Sequence, residues 1–359
     1  MSGWKLFLIF AFVIAFSIGF LLSSLNNSFL FTPRQETIIP SRSATPTPAV
    51  GEVSMVFVGD IMLSRSVGQK IIEQNNFKFP FLRIADYLKS FDLAFANLEN
   101  PVSSRGTRVG SIYSFRADPR TIEGLTYAGL DVVSIANNHI WDYGRDAFID
   151  TLTHLTTAGI GHVGGGYNYK ETHAGVVKEV DGVKIGFLAY TNLLPESVAA
   201  GIDSEGVSYL DIKSMKEDIV NMHERADIVI TSFHWGEEYK TIHNANQEYI
   251  AKEAIAMGAD LVIGHHPHVR QEVVQVNGSW VAYSLGNFIF DQSFSKETTT
   301  GSALEVKIKD KKIESVQEKT IYIWNTYQAS LEMQPKPTPT PTPSESLMPS
   351  VAAEPPPML

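Results

Sequence analysis

Residues 261–269 read LVIGHHPHV. Leu261, Val262 and Ile263 have the composition of a buried strand. Gly264 breaks it, and His265, His266 and His268 follow within four positions. Imidazole is the commonest neutral metal ligand near pH 7. Two histidines one residue apart at a strand end can meet one metal cluster, because the turn lets both rings point the same way. A polar loop that happens to hold histidines is the weaker reading, since three of the chain's ten histidines sit here.

Four more predicted strands end in residues of matching chemistry. The strand 53–58 runs into Gly59-Asp60, and 93–96 into Asn97-Leu98-Glu99-Asn100. The strand 131–135 runs into Ala136-Asn137-Asn138-His139, and 227–232 into Phe233-His234-Trp235-Gly236. Helices are expected between them at 64–74, 81–89, 118–127, 145–157, 212–225 and 246–257. Asp118 is the N-cap of the third with Pro119 at N1, Gly129 ends it, and Gly258 closes the last. Asp181-Gly182 and Asn277-Gly278, each between apolar runs, are hairpin turns. A third hairpin joins 303–309 to 313–320.

This order of strands, helices and late hairpins implies one α/β or α+β layered domain over residues 51–325. Ligands of open α/β sheets bind outside the carboxyl ends of the strands. Asp60, Glu99, Asn138, His234, His266 and His268 are expected to meet there. Two carboxylates, an amide and three imidazoles offer mixed nitrogen and oxygen coordination suited to Mn, Fe or Zn. The chain has no cysteine, so disulfides and thiolate sites are excluded. His139, next to Asn138, can face a substrate. Arg65 and Arg116 are candidate clamps for an anionic substrate, with solvated surface arginines an equal alternative. Tyr143 and Trp235 read more as packing than as pocket walls. Gly164 to Gly166 lack the Lys and Ser/Thr of a phosphate-binding loop and read as a turn.

The formal net charge of −10 argues against a nucleic-acid role. Residues 6–22, LFLIFAFVIAFSIGFLL, carry no charge and are long enough to cross a bilayer as a helix. An uncleaved N-terminal membrane anchor (1–31) is therefore expected. The bias of positive charge toward the cytoplasm then places the remainder outside, as a single-pass extracytoplasmic protein. A Pro/Ser/Thr linker (32–50) and a Pro/Thr-rich disordered tail (326–359) flank the domain.

The motifs GDIMLSR (59–65), NLENPV (97–102), ANNHIWDYG (136–144), HWGEEY (234–239), GHHPHV (264–269) and YSLGNFIFD (283–291) resemble the CapA/PgsA family of bacterial capsule and poly-γ-glutamate synthesis proteins. That family is similar to the calcineurin-like metallophosphoesterases. The resemblance implies a four-layer αββα sandwich holding two divalent metals. Asp60 and His268 would hold the first, Glu99 would bridge, and Asn138, His234 and His266 would hold the second. His139 would be the general acid, and His265 would stay outside the ligand set. Met62 departs from the pattern, standing where the superfamily carries a histidine. Three functions follow as expectations: a metal-dependent phosphoesterase, a hydrolase of amide or γ-glutamyl bonds, or a non-catalytic subunit working with capsule or polyglutamate synthase components. The substrate would be an anionic polymer or a phosphoester.

Overall fold

The computed structural model describes residues 51–109 and 112–335. The expected anchor, linker and most of the tail lie outside the described residues. Among the described residues, no helix is long and apolar enough to cross a membrane.

In chain order the strands are β1 (Val53–Ile61), β2 (Leu93–Leu98), β3 (Val132–Ser134), β4 (Gly161–Val163), β5 (Gly165–Gly166), β6 (Val176–Val180), β7 (Val183–Thr191) and β8 (Gly206–Val207). They continue as β9 (Ile228–His234), β10 (Leu261–His265), β11 (Val273–Val276), β12 (Ser279–Ala282), β13 (Asn287–Ile289), β14 (Thr300–Lys309), β15 (Lys312–Ile323) and β16 (Ala329–Ser330). The helices are α1 (Arg65–Glu73), α2 (Ala85–Leu88), α3 (Ile122–Ala128), α4 (Gly144–Thr157), α5 (Tyr169–Ala174), α6 (Ile212–His223) and α7 (Ala245–Ala256).

One sheet runs β16-β15-β14-β1-β2-β3-β4, with β13 also beside β1. A second runs β11-β12-β10-β9-β7-β6. β1, β2, β3 and β4 are parallel to one another, and so are β7, β9, β10 and β12. Three apolar clusters set the layering. Met55, Phe57 and Phe95 of the first sheet pack with Ile185, Phe187, Ile230 and Ile263 of the second. On the far side of the first sheet, Val56 and Val58 meet Val67 and Ile71 of α1 and Phe148 and Leu152 of α4. On the far side of the second, Val229 and Val262 meet Ile219 of α6 and Ile250 of α7. The period-2 alternation of side chains along each strand thus feeds two different cores, and helices cover both outer faces.

The hairpin turns form as expected: Asp181 and Gly182, and Asn277 and Gly278, all take positive φ and join antiparallel pairs. Asp118 caps a 3₁₀ turn, Pro119–Thr121, ahead of α3 by accepting from the Arg120 N–H, and Gly129 ends α3 in the left-handed region. Three expectations need correction. The helix over 81–89 is a 3₁₀ turn, Phe79–Phe81, and a separate single-turn α2. The glycine run is not a plain turn, because β5 pairs with β8. The ordered body passes residue 325: β16 pairs with β15 and buries Ala329.

Candidate metal centre

Strand register assembles the site. Asp60 on β1 lies in register with Asn97 of β2 and Asn287 of β13. On the other sheet, His234 lies between Thr191 of β7 and His265 of β10. Two glycines permit the approach. A Cβ on Gly59 would sit 1.8 Å from the Gly286 carbonyl oxygen, and one on Gly264 1.9 Å from that of Tyr283. No side chain fits either position. Arg65, Tyr239, His266 and His268 all take positive φ, a conformation costing non-glycine residues on the order of 1 kcal/mol or more each. All four sit at this end of the sheets.

Asn97 ties the two sheets together. Its Nδ2 donates to Asp60 Oδ1 at 2.9 Å and Glu99 Oε2 at 3.2 Å, and lies 3.3 Å from His234 Nδ1. Asn137 Nδ2 in turn donates to Asn97 Oδ1 at 3.0 Å and to the Leu98 carbonyl at 2.8 Å. Glu99 Oε2 is therefore satisfied, but Oε1 is buried without a hydrogen-bond partner. Three imidazole nitrogens surround it: His268 Nε2 at 3.6 Å, His234 Nε2 at 3.9 Å and His139 Nε2 at 4.0 Å. These distances are too long for hydrogen bonds. They are close to the roughly 3–3.5 Å separating two ligands on one ion at ordinary Zn–N and Zn–O bond lengths.

The supporting shell aims these groups. Asn287 Nδ2 donates to Gln292 Oε1 at 3.1 Å and the Thr298 carbonyl at 3.0 Å, which turns its Oδ1 toward His268 Nδ1, 2.9 Å away. An acceptor at Nδ1 puts the proton there and leaves the Nε2 lone pair facing Glu99. His234 Nε2 stands 2.9 Å from Asn138 Oδ1. His139 Nδ1 lies 2.7 Å from Asp142 Oδ2, which also accepts from the Phe115 N–H at 2.7 Å. The His139 ring stacks on Phe115 with centroids 3.9 Å apart.

Burial sets the charges. It would raise Asp60, but contacts with His265 and His268 outweigh it and hold that carboxyl well below its usual range. Glu99 has no such relief. Burial, then the negative charges of Asp60, Glu238 and Asp142, push it well above. His234 is driven well below the usual imidazole value by burial and then by His266, and His266 falls to about 3 by burial and then His268. Both imidazoles are thus neutral at pH 7, the form that binds metal. His265 is fully buried with Nδ1 3.1 Å from Asp60 Oδ1. That contact is off the line of a hydrogen bond, and neither ring nitrogen has a partner.

All six expected ligands converge. Two groups of donor atoms lie within 4.8 Å of one another: Glu99 with His266 and His268, and Asp60 with Glu99 and His234. Glu99 belongs to both, as a bridging carboxylate must. The partners on either side differ from the expected division, since His268 groups with His266 and Asp60 with His234. Unpartnered Glu99 Oε1 and His266 Nδ1, with a donor set free of thiolates, fit divalent metals of the Mn, Fe or Zn type.

These residues open into a cleft of about 490 Å³ whose walls include Arg65, Asn138, His139 and His268. Arg65 pairs with buried Asp291 at 3.1 Å and lies 5.2 Å from the Phe115 ring centroid. Arg116 does not line this cleft. It donates to the Arg105 and Gly106 carbonyls at 2.9 and 3.2 Å and stacks over Tyr143 at 4.1 Å. Trp235 is core, donating to the Tyr283 carbonyl at 2.9 Å. Met62 is buried in the outer core, its sulfur 3.1 Å from Ser64 Oγ.

Sequence reasoning passed over Asn97, Asp142 and Asn287, although each lies inside a quoted motif. Spacing was the available signal for two of them: Asn97 is two residues before Glu99, and Asp142 three residues after His139.

The family described as "Bacterial capsule synthesis protein PGA_cap" matches residues 54–292, a span holding every expected ligand. The chain is 32% identical over 261 residues to "Capsule biosynthesis protein CapA" of Bacillus anthracis, covering 70% of this chain and 63% of that one. It is 32% identical over 255 residues to "PGA biosynthesis protein CapA" of Bacillus subtilis, covering 70% and 66%. It thus spans a little under two thirds of either relative. The calcineurin-like phosphoesterase YfkN of B. subtilis is similar in structure at a TM-score of 0.44 and 16% identity, over 75% of this chain and 90% of that one. This chain belongs to the bacterial capsule synthesis protein PGA_cap family.

Proposed function

We propose that the protein is an extracytoplasmic, membrane-anchored, metal-dependent hydrolase of phosphoesters that serves capsule or poly-γ-glutamate synthesis. The observation that carries this reading is Glu99 Oε1, a buried acceptor without a hydrogen bond, encircled by imidazole nitrogens at 3.6–4.0 Å. An unsatisfied buried acceptor of this kind costs on the order of 1–3 kcal/mol, which a bound cation would remove. Asp60, Glu99, Asn138, His234, His266 and His268 are the proposed ligands, for two divalent ions of the Mn, Fe or Zn type. Divalent ions there would supply Lewis-acid stabilisation of charge developing on a phosphoryl group.

The chain's own groups do the rest. Asp142 holds the His139 Nδ1 proton and fixes the ring, so Nε2 points into the cleft, where, when it too carries a proton, it can hand that proton to a leaving oxygen and return to the neutral ring. Arg65, steadied by Asp291, contacts one oxygen of an anionic substrate. The anchor assignment rests on the apolar run 6–22, and the capsule association on the family and on the names of its CapA relatives.

The test is purification of the full-length chain, elemental analysis, and assay against phosphomonoesters and phosphodiesters with Mn. Less than a trace of metal after Mn or Zn reconstitution would sink the site. A second reading, a non-catalytic partner of capsule or polyglutamate synthase subunits, is favoured by Met62. A soft thioether stands there in place of an imidazole, with its sulfur turned to Ser64. Polymer production surviving His139→Ala but lost on deletion of residues 51–335 would select it.

A further inference from the structure

The metal cleft has a second half that the ligands do not use. Tyr239 lies on its wall with its ring 6.2 Å from that of His268, and Phe294 stands edge-on to Tyr239 at 5.1 Å and 81°. Tyr239 is fixed: its N–H donates to the Pro267 carbonyl at 2.8 Å, and its hydroxyl accepts from Gln292 Nε2 at 3.1 Å. Its positive φ of 63° adds backbone strain at a site-facing residue. Phe294, by contrast, is 66% exposed, although its ring lines the cleft.

The charges on these walls disfavour one kind of substrate. Apart from the proposed metal ligands and His139, the ionisable wall residues are Arg65, Tyr113, Asp291, Glu238 and Tyr239. Away from the proposed metal ions, Arg65 is paired with Asp291, and Glu238 is the remaining carboxylate on the walls. Beyond the group held at the metal centre, Glu238 offers no counter-charge to a chain of many carboxylates. A neutral ring with hydroxyls suits these walls better, because the Glu238 carboxylate can accept from hydroxyl donors. The perpendicular Tyr239–Phe294 pair presents one ring face at a time. It does not offer the two parallel faces that would sandwich a flat base. One face suits the puckered C–H surface of a pyranose.

We infer that Tyr239 and Phe294 form a platform for the sugar ring of a glycosyl phosphate whose phosphoryl group sits at the metal centre. This rests on the proposed phosphoesterase reading and adds the substrate class. A platform one ring away from His268 requires the sugar to carry the phosphate directly, without a long spacer.

The experiment uses full-length, Mn-loaded protein with glucose 1-phosphate and glycerol 3-phosphate, which share the phosphomonoester and differ in the ring. The wild type should prefer glucose 1-phosphate in kcat/KM by about tenfold, the worth of one aromatic contact. Phe294→Ala should lose that preference while keeping its rate on glycerol 3-phosphate, and Phe294→Trp should retain it. Equal rates on both compounds in the wild type, or equal losses on both in Phe294→Ala, overturn the inference. If neither compound is hydrolysed, the phosphoesterase reading fails. Calorimetric binding of glucose 1-phosphate then decides: about tenfold weaker binding to Phe294→Ala upholds the platform, and unchanged binding overturns it. A preference for AMP over glucose 1-phosphate that disappears with Phe294→Ala would show that the platform reads a base, and overturns the sugar assignment.

Discussion

His139 Nδ1 stands 2.7 Å from Asp142 Oδ2, three residues along the chain, and this contact leaves Nε2 4.0 Å from Glu99 Oε1. His139→Ala should therefore leave metal content within error of wild type. It should lower turnover by about 10² to 10⁴, the contribution of a positioned acid. Asp142→Asn should act in the same direction but less, because the amide oxygen can still accept from His139. Metal analysis with steady-state kinetics checks both. Loss of metal in His139→Ala would make it a ligand instead.

Metal binding should release a proton. Burial and neighbouring carboxylates raise Glu99 well above its usual 4.5 in the metal-free protein, whereas a ligand must be a carboxylate. The raised value also means that Glu99 favours the fold below about pH 4.5, the unfolded value, and that this is lost as pH rises through the folded pKa. Titration of Mn, at the lowest pH at which the metal still binds, in two buffers of different ionisation enthalpy should give different apparent heats. Identical heats would mean that Glu99 is already ionised.

Asn287→Leu should weaken metal binding by roughly 10- to 100-fold, the usual effect of losing a partner that orients a ligand. The leucine cannot accept from His268 Nδ1, so Nε2 is no longer held toward Glu99. Metal titration of the variant, with circular dichroism to confirm folding, measures it. Unchanged affinity would show that His268 needs no such support.

Gly264→Ala should destabilise the fold by about 1–3 kcal/mol, as overpacking does. Its Cβ would meet the Tyr283 carbonyl oxygen at 1.9 Å, and backbone cannot step aside as a flexible side chain can. Denaturant unfolding of the metal-free protein isolates this from any loss of metal. An unchanged midpoint would mean that β10 shifts freely.

A reporter active only outside the cytoplasm, fused after the last residue, should be active in cells. The uncharged run 6–22 motivates this. Activity only from a cytoplasmic reporter would remove the extracytoplasmic assignment.

Local pattern was enough to set the strands and the chemistry at their ends. Gly59-Asp60, Glu99, Asn138, His234 and the HPH of 266–268 each follow a run apolar enough to be buried, and parallel strands bring such ends to one edge. The hairpins at Asp181-Gly182 and Asn277-Gly278 were equally local, because positive φ is a property of those residues themselves. Which atoms meet depends instead on how the sheets come together. Asn97 reads as an ordinary strand residue until register sets it between Asp60, Glu99 and His234. Arg65 and Arg116 are alike in sequence, yet one faces the cleft and the other is spent on the Arg105 and Gly106 carbonyls. Those outcomes depend on pairing between strands tens to hundreds of residues apart. Such pairing is set by the packing of three cores and by the room left at Gly59 and Gly264, and no local pattern encodes it.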